Sequence, residues 1–164
     1  VDLTAQILLQ IAAVETSTAD LSATVTTTNV SRSISFATGT GANQAQVAWS
    51  DSRTIDPSGE DIPDLAALDD ARGTVAFTAI KLIYIRNTGT QAINWNGNGD
   101  WDTGPEKLPD TANYEIPPAG IYLASNPSAA GWAVGASGQY LTLVNNGGTA
   151  ASYDILLIGE GSIV

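Results

Sequence analysis

Ser152-Tyr153-Asp154-Ile155-Leu156-Leu157-Ile158 is the stretch whose reading decides the fold. Tyr153, Ile155 and Leu157 alternate with Asp154, Leu156 and Ile158, which is the two-residue period of a β-strand. The second half is apolar on both faces, so such a strand needs cover on both sides. Thr78 to Arg86 is a second stretch of this kind, with Ile80, Leu82 and Tyr84 alternating with Ile83 and Ile85. Both read as core strands of a sandwich, or as strands with one face in a subunit interface. The same period recurs along the chain in segments parted by clusters of Gly, Asn, Pro and Ser, as short antiparallel strands require. The expected fold is all-β, an antiparallel β-sandwich.

Working outward, residues 139 to 145 place Leu141 and Leu143 on one face and Tyr140, Thr142 and Val144 on the other. Asn145-Asn146-Gly147-Gly148 follows as a turn, so a hairpin into the strand at Ser152 is expected. Between Leu21 and Phe36 the apolar parity flips: Leu21, Ala23 and Val25 are odd, whereas Val30, Ile34 and Phe36 are even. A bulge or break near Thr27 to Asn29 would keep both sets on one side. Residues 3 to 14 fit two patterns. Leu3, Ala5, Ile7, Leu9 and Ile11 alternate as in a strand, while Ile7, Leu8, Ile11 and Val14 mark a helical stripe that Asp2 would cap. Residues 57 to 73, with Pro57, Gly59, Pro63 and Gly73 around Leu65 and Leu68, read as a long connection with one helical turn. The organisation is thus an N-terminal strand or arm over 1–20 and a sandwich over 21–164.

With 164 residues the chain suits one domain and is long enough to bury a core without staples. Charged residues make up 14% against 43% apolar, which argues against disorder. Seventeen acidic residues against six basic ones give a net charge of -11, a field that repels phosphate and anionic lipid. Neither nucleic acid nor a membrane is an expected partner. No apolar run approaches the roughly 18 residues of a membrane helix. Val1-Asp2-Leu3 carries none of the basic residues that open a secretory signal.

The chain has no His and no Cys, which removes zinc sites of the usual kind, Cys–His pairs and serine–histidine triads. Carboxylate pairs remain, and Asp69-Asp70 and Asp100-x-Asp102 are the candidates for acid/base or glycosidase chemistry. Solvated loop charge explains both pairs more simply. Lys81 and Lys107 are candidate nucleophiles, but a strand-borne Lys81 is expected to reach water with its ammonium. Asn94 to Asp102 resembles a calcium loop: with Asn94 at position 1, Gly99 falls at position 6. Position 12 is then Pro105, and the needed carboxylate, Glu106, comes one residue late. Trp95 and Trp101, with Trp49, Trp132, Tyr114 and Tyr122, would suit a platform for sugar rings. Packing at the sandwich ends or in a subunit interface is the plainer account of these aromatics. Gly39-Thr-Gly-Ala-Asn-Gln44 lacks the Lys-Ser/Thr ending of a phosphate loop and reads as a turn between strands. No catalytic, cofactor-binding or metal residue is assigned on these patterns.

One set of stretches carries a resemblance: Gly39 to Gln44, Ala48-Trp-Ser-Asp-Ser-Arg-Thr54, Phe77 to Ile85 and Ile116-Pro-Pro-Ala-Gly120. Leu123-Ala-Ser-Asn-Pro127, Gly131-Trp-Ala-Val134 and Tyr153 to Gly159 continue it. Together they resemble small β-sandwich virion structural proteins of tailed bacteriophages, of the kind that decorate or cement capsids. The resemblance runs from about residue 21 to the end and contains no catalytic signature. It implies a jelly-roll-like domain, no enzymatic activity, no cofactor, and a homo-oligomer, a trimer being favoured, on the capsid exterior of the virion. The partner it implies is the major capsid protein. A sugar- or receptor-binding module of a tail or fibre is the alternative reading, and a carboxylate glycosidase ranks behind both.

Overall fold

The computed structural model describes residues 2–19, 22–96, 112–135 and 139–164. They contain no helix, and their strands are β1 (Ala5–Ala19), β2 (Ser22–Thr38), β3 (Gln44–Ala45), β4 (Val47–Ile55), β5 (Glu60–Asp61), β6 (Leu68–Asp70) and β7 (Gly73–Asn87). The chain continues with β8 (Ile93–Asn96), β9 (Ala112–Ile116), β10 (Ile121–Ser125), β11 (Trp132–Ala133), β12 (Leu143–Val144) and β13 (Ala151–Ile163). One sheet has the order β10-β7-β13-β4, with β6 and β11 also pairing β7, and a second has the order β5-β12-β8-β9. Apart from a two-residue parallel pairing of β2 with β3, the strand pairs are antiparallel. The two sheets face each other as an antiparallel β-sandwich.

The core lies between the sheets. Ile80, Ile83 and Ile85 of β7, Tyr153, Ile155 and Leu157 of β13, and Trp49 of β4 meet Ile93, Trp95, Ile116 and Leu143 of the opposite sheet. The other face of the larger sheet is apolar as well. There Leu82 and Ile158 pack with Phe36 and Ala45, flanked by Ile7, Ile34, Ala48 and Leu156. The Ser152 to Ile158 stretch is therefore covered twice, with Leu157 fully buried on one side and Ile158 5% exposed on the other. The second cover is the root of the β1–β2 ribbon.

That ribbon makes residues 5 to 14 strand, not helix. Its register runs without a shift from Ala5 opposite Phe36 to Ala19 opposite Ser22, so the bulge expected near Thr27 to Asn29 is absent. The parity flip has another meaning. Odd residues of β1 share a face with even residues of β2, which gathers Ala5, Ile7, Leu9 and Ile11 with Val30, Ile34 and Phe36. Val25, opposite Thr16, falls on the other face with Leu8 and Val14. The apolar surface changes sides along the ribbon, and no bulge is needed because neither side is forced inward there.

Three further expectations are corrected. Residues 139 to 145 form no hairpin with β13: β12 pairs β5 and β8, while β13 pairs β4 and β7. The Asn145 to Thr149 turn crosses between sheets, and buried Asn145 holds it by donating to the carbonyls of Ile55, Asp56 and Thr149. Residues 57 to 73 contain β5, β6 and turns rather than a helical turn, with Leu65 and Leu68 buried in the core. Alternation along β7 also breaks. Ile158 faces Leu82 and Gly159 faces Ile80, so Lys81 is an extra residue that swings Ile80 to the same side as Ile83 and Ile85. Strand β13 accommodates the bulge with glycine: a Cβ on Gly159 would collide with the carbonyl oxygen of Ala79.

Phe36 is the largest side chain that joins the ribbon root to the sandwich. Phe36→Ala is expected to cost about 3–5 kcal/mol, read as a lower urea midpoint. Limited proteolysis would then cut first within residues 1–38.

Candidate interaction surface

Several ionisable groups hold the fold together. At one edge of the sandwich Asp61, on the smaller sheet, takes two hydrogen bonds from Arg53 of β4, Nε at 2.6 Å and Nη2 at 2.8 Å. The hydroxyl of Tyr153, on β13, donates to the same carboxylate at 2.8 Å. One carboxylate thus ties two strands of the larger sheet to its partner sheet. Burial pushes Asp61 up, but the hydrogen bonds from Arg53 and Tyr153 outweigh it and hold the carboxyl below its ordinary value. The Asp61 hydrogen bond raises the Arg53 value, and burial, then the Asp61 charge, raises that of Tyr153. Arg53 also reaches Asp51 at 3.1 Å.

Around this cluster lies a shallow depression of about 400 Å³ lined by Asp51, Asp56, Glu60 and Asp61. Glycosidase chemistry needs one carboxyl held protonated, with its pKa raised. Asp61 is shifted the opposite way. The clasp was not legible in the sequence, because residues 53, 61 and 153 meet only through strand packing.

The structure separates the other charged candidates. Asp69 and Asp70 are neighbours on β6, and their side chains do not form a pair. Asp70 is bound by Arg72 Nε at 2.7 Å and by the Arg72 backbone N–H at 2.9 Å, which holds it down to about 2. The backbone oxygen of Asp69 accepts from Trp49 Nε1 at 2.8 Å. Lys81 does not reach water. It is fully buried at the bulge, donates to the carbonyl of Gly41 at 2.8 Å and pairs with Glu160 Oε1 at 2.7 Å. That oxygen takes no well-aligned hydrogen bond and is held by the ammonium charge alone. The Gly39 to Gln44 turn, expected as a simple connection, is thereby pinned to the sheet.

Among the aromatics Trp49 is buried in the core and Trp132, on β11, packs against it. Trp95 was expected in a polar loop and is instead on β8 in the core, 6% exposed, because β9 and β12 flank that strand. Its ring meets Tyr122 at 5.1 Å, and Tyr122 meets the half-exposed Tyr114 at 5.2 Å. A sugar platform built on Trp95 is therefore removed. Asp100, Trp101, Asp102, Glu106 and Lys107, with most of the calcium-like loop, lie outside the described residues.

Two exposed surfaces are rich in apolar side chains. Beyond the Ile7–Ile34 pair every described side chain of the ribbon is exposed, including Leu8, Leu9, Ile11, Val14, Val25 and Val30. Residues 3 to 14 and 22 to 31 carry no charge at all. On the outer face of the larger sheet, Ile121 and Leu123 of edge strand β10 lie beside Arg86 and Tyr84, which in turn neighbour Asp154 and Leu156. A depression of about 480 Å³ opens there between Tyr84, Leu156 and Ser50. Set against protein-family models, curated proteins and solved structures, the chain matches none.

Asp61→Asn is expected to lower stability at neutral pH by about 2–3 kcal/mol, and Tyr153→Phe by about 1 kcal/mol. Asp61 has a folded value below the ordinary 3.8, so its contribution is present above that pH and fades as pH falls through the folded value. Urea melts from pH 7 down to pH 2 should accordingly show a shallower acid loss in Asp61→Asn than in the wild type.

Proposed function

We propose that this protein is a non-enzymatic capsid decoration protein of a tailed bacteriophage, a homo-oligomer bound outside the shell to the major capsid protein. The observation that carries the reading is the ribbon: a two-stranded arm with Glu15 and Arg32 as its charged residues, bearing exposed apolar side chains on both faces and rooted on the sandwich. An isolated two-stranded ribbon is marginal in water, and exposed apolar area of this extent marks a contact surface. The sequence resemblance supplies the class of partner. The net charge of -11 supports an exterior position, since a protein facing packaged DNA would be favoured by the opposite sign. Binding to the assembled shell and not to its free subunits would stabilise the shell by mass action.

The face of the ribbon that carries Leu8, Val14 and Val25 is the one offered to the shell. Co-sedimentation with undecorated shells should show saturable binding and a raised melting temperature of the particle. Val14→Asp/Val25→Asp should weaken that binding by about tenfold or more, since burying one Val is worth ~1.5–3 kcal/mol. Failure of the wild type to bind shells overturns the reading.

A further inference from the structure

We infer that the other face of the ribbon, bearing Leu9, Ile11 and Val30, seats on the outer sheet face of a second copy of this chain, beside Ile121 and Leu123. This deepens the assembly part of the preceding proposal, yet it is tested without any shell.

The first support is continuity. Ile7, Ile34 and Phe36 belong to the same ribbon face as Leu9, Ile11 and Val30, and they already pack on the outer face of the larger sheet, with Leu82, Leu156 and Ile158. The stripe that fits this surface at the root continues past the edge of its own domain. The surface likewise continues past the root: Ile121 is 56% and Leu123 41% exposed, on the same outer face as Tyr84 and Leu156. Each is an unfilled half of a contact the molecule makes once within itself.

Charge is the second support. Arg32 lies opposite Leu9, between Val30 and Ile34 on the apolar face, is exposed, and pairs with no carboxylate among the described residues. On the outer sheet face the neighbour of Leu156 along that side is Asp154, bound to the Ser52 hydroxyl at 2.7 Å, with the exposed Arg86 opposite it, between Asp154 and Ile121. A cation two residues from apolar anchors would meet an anion two residues from its own anchor. Two chains of net charge -11 repel over most of their surfaces, and the ribbon is where that repulsion is least.

Size is the third. The eleven pairs from Leu9–Arg32 to Ala19–Ser22 extend ~36 Å, and with a width of ~10 Å each ribbon face covers roughly 350 Å². An arm-to-sheet contact repeated head-to-tail forms a ring when its rotation closes, and each copy then gives one face and receives another. Each contact thus buries about 700 Å² over its two sides, below the ~1,200–2,000 Å² of a stable single interface, so assembly rests on ring closure, which gives every chain two such contacts. A ring of three is the smallest that keeps arm and acceptor on different neighbours.

Sedimentation and light scattering on the full chain should give three times the 16.9 kDa chain mass. Leu9→Asp and Arg32→Glu should each shift the mass toward that of one chain, with the urea midpoint of the sandwich unchanged, since both side chains are exposed. Arg32→Glu/Asp154→Lys should restore assembly. Because the chain has no cysteine, an equimolar mixture of Ile11→Cys and Leu123→Cys chains reports the contact directly, as a disulfide-linked dimer absent from either alone. A wild type that stays single, a ring that survives Leu9→Asp, a charge swap without recovery, or Ile11→Cys chains that link to each other would each overturn the inference. Shell binding by a single chain would sink it and leave the decoration reading standing, whereas a ring that ignores shells would do the reverse.

Discussion

Burial of β7 and β13 on both faces is the constraint from which the rest of the architecture follows. A sandwich ordinarily wets the outside of each sheet, yet here Leu82 and Ile158 face outward and are nearly as buried as Ile83 and Leu157 facing inward. Something must lie over them, and the chain supplies it from its own N-terminal third. The ribbon root is therefore part of the core, although the ribbon beyond it makes no core contact. This joins a cooperative folding unit to a projecting arm through one layer of apolar contacts, with Phe36 at its centre.

Polar groups reinforce the same two joints. Between the sheets, Asp61 gathers Arg53 and Tyr153 into a charge-assisted clasp at the sandwich edge. Between sheet and ribbon root, Lys81 turns inward at a bulge and holds the Gly41 carbonyl and Glu160. Leaving either partner of that buried pair alone would be costly, so the bulge and the loop it anchors are coupled. Asn87 does similar work on the smaller scale of a loop, donating to the carbonyls of Gln91 and Ile116. Lys81 and Asp70, which the sequence offers to catalysis, are thus committed to ion pairs within the fold.

The sequence by itself determined the fold class, since a two-residue period broken by turn-forming clusters runs through most of the chain, the one helical stripe being confined to residues 7 to 14. It determined that residues 153 to 158 and 78 to 86 need cover on both sides, because side-chain alternation is a local property of the backbone. It also marked Leu65, Leu68, Leu141 and Leu143 as apolar positions, all of which are buried. The charge balance and the lack of imidazole and thiol were legible in full, being matters of composition.

Only the tertiary structure decided what supplies the covers and which residues meet. The parity flip between Val25 and Val30 was visible but ambiguous, because a bulge and an exposed two-faced ribbon make the same pattern until one knows whether either side is buried. Asn145 to Gly148 was rightly a turn, but a turn does not specify whether the next strand pairs beside the last or crosses to the facing sheet. Lys81 looked like a solvent-facing strand residue, since a bulge is set by the opposing strand, where Gly159 has no Cβ to prevent it. Trp95 was assigned to the polar run that follows it, whereas pairing on both sides drew it into the core. Each of these depends on partners tens of residues away, and a local pattern carries no information about the identity of a distant neighbour.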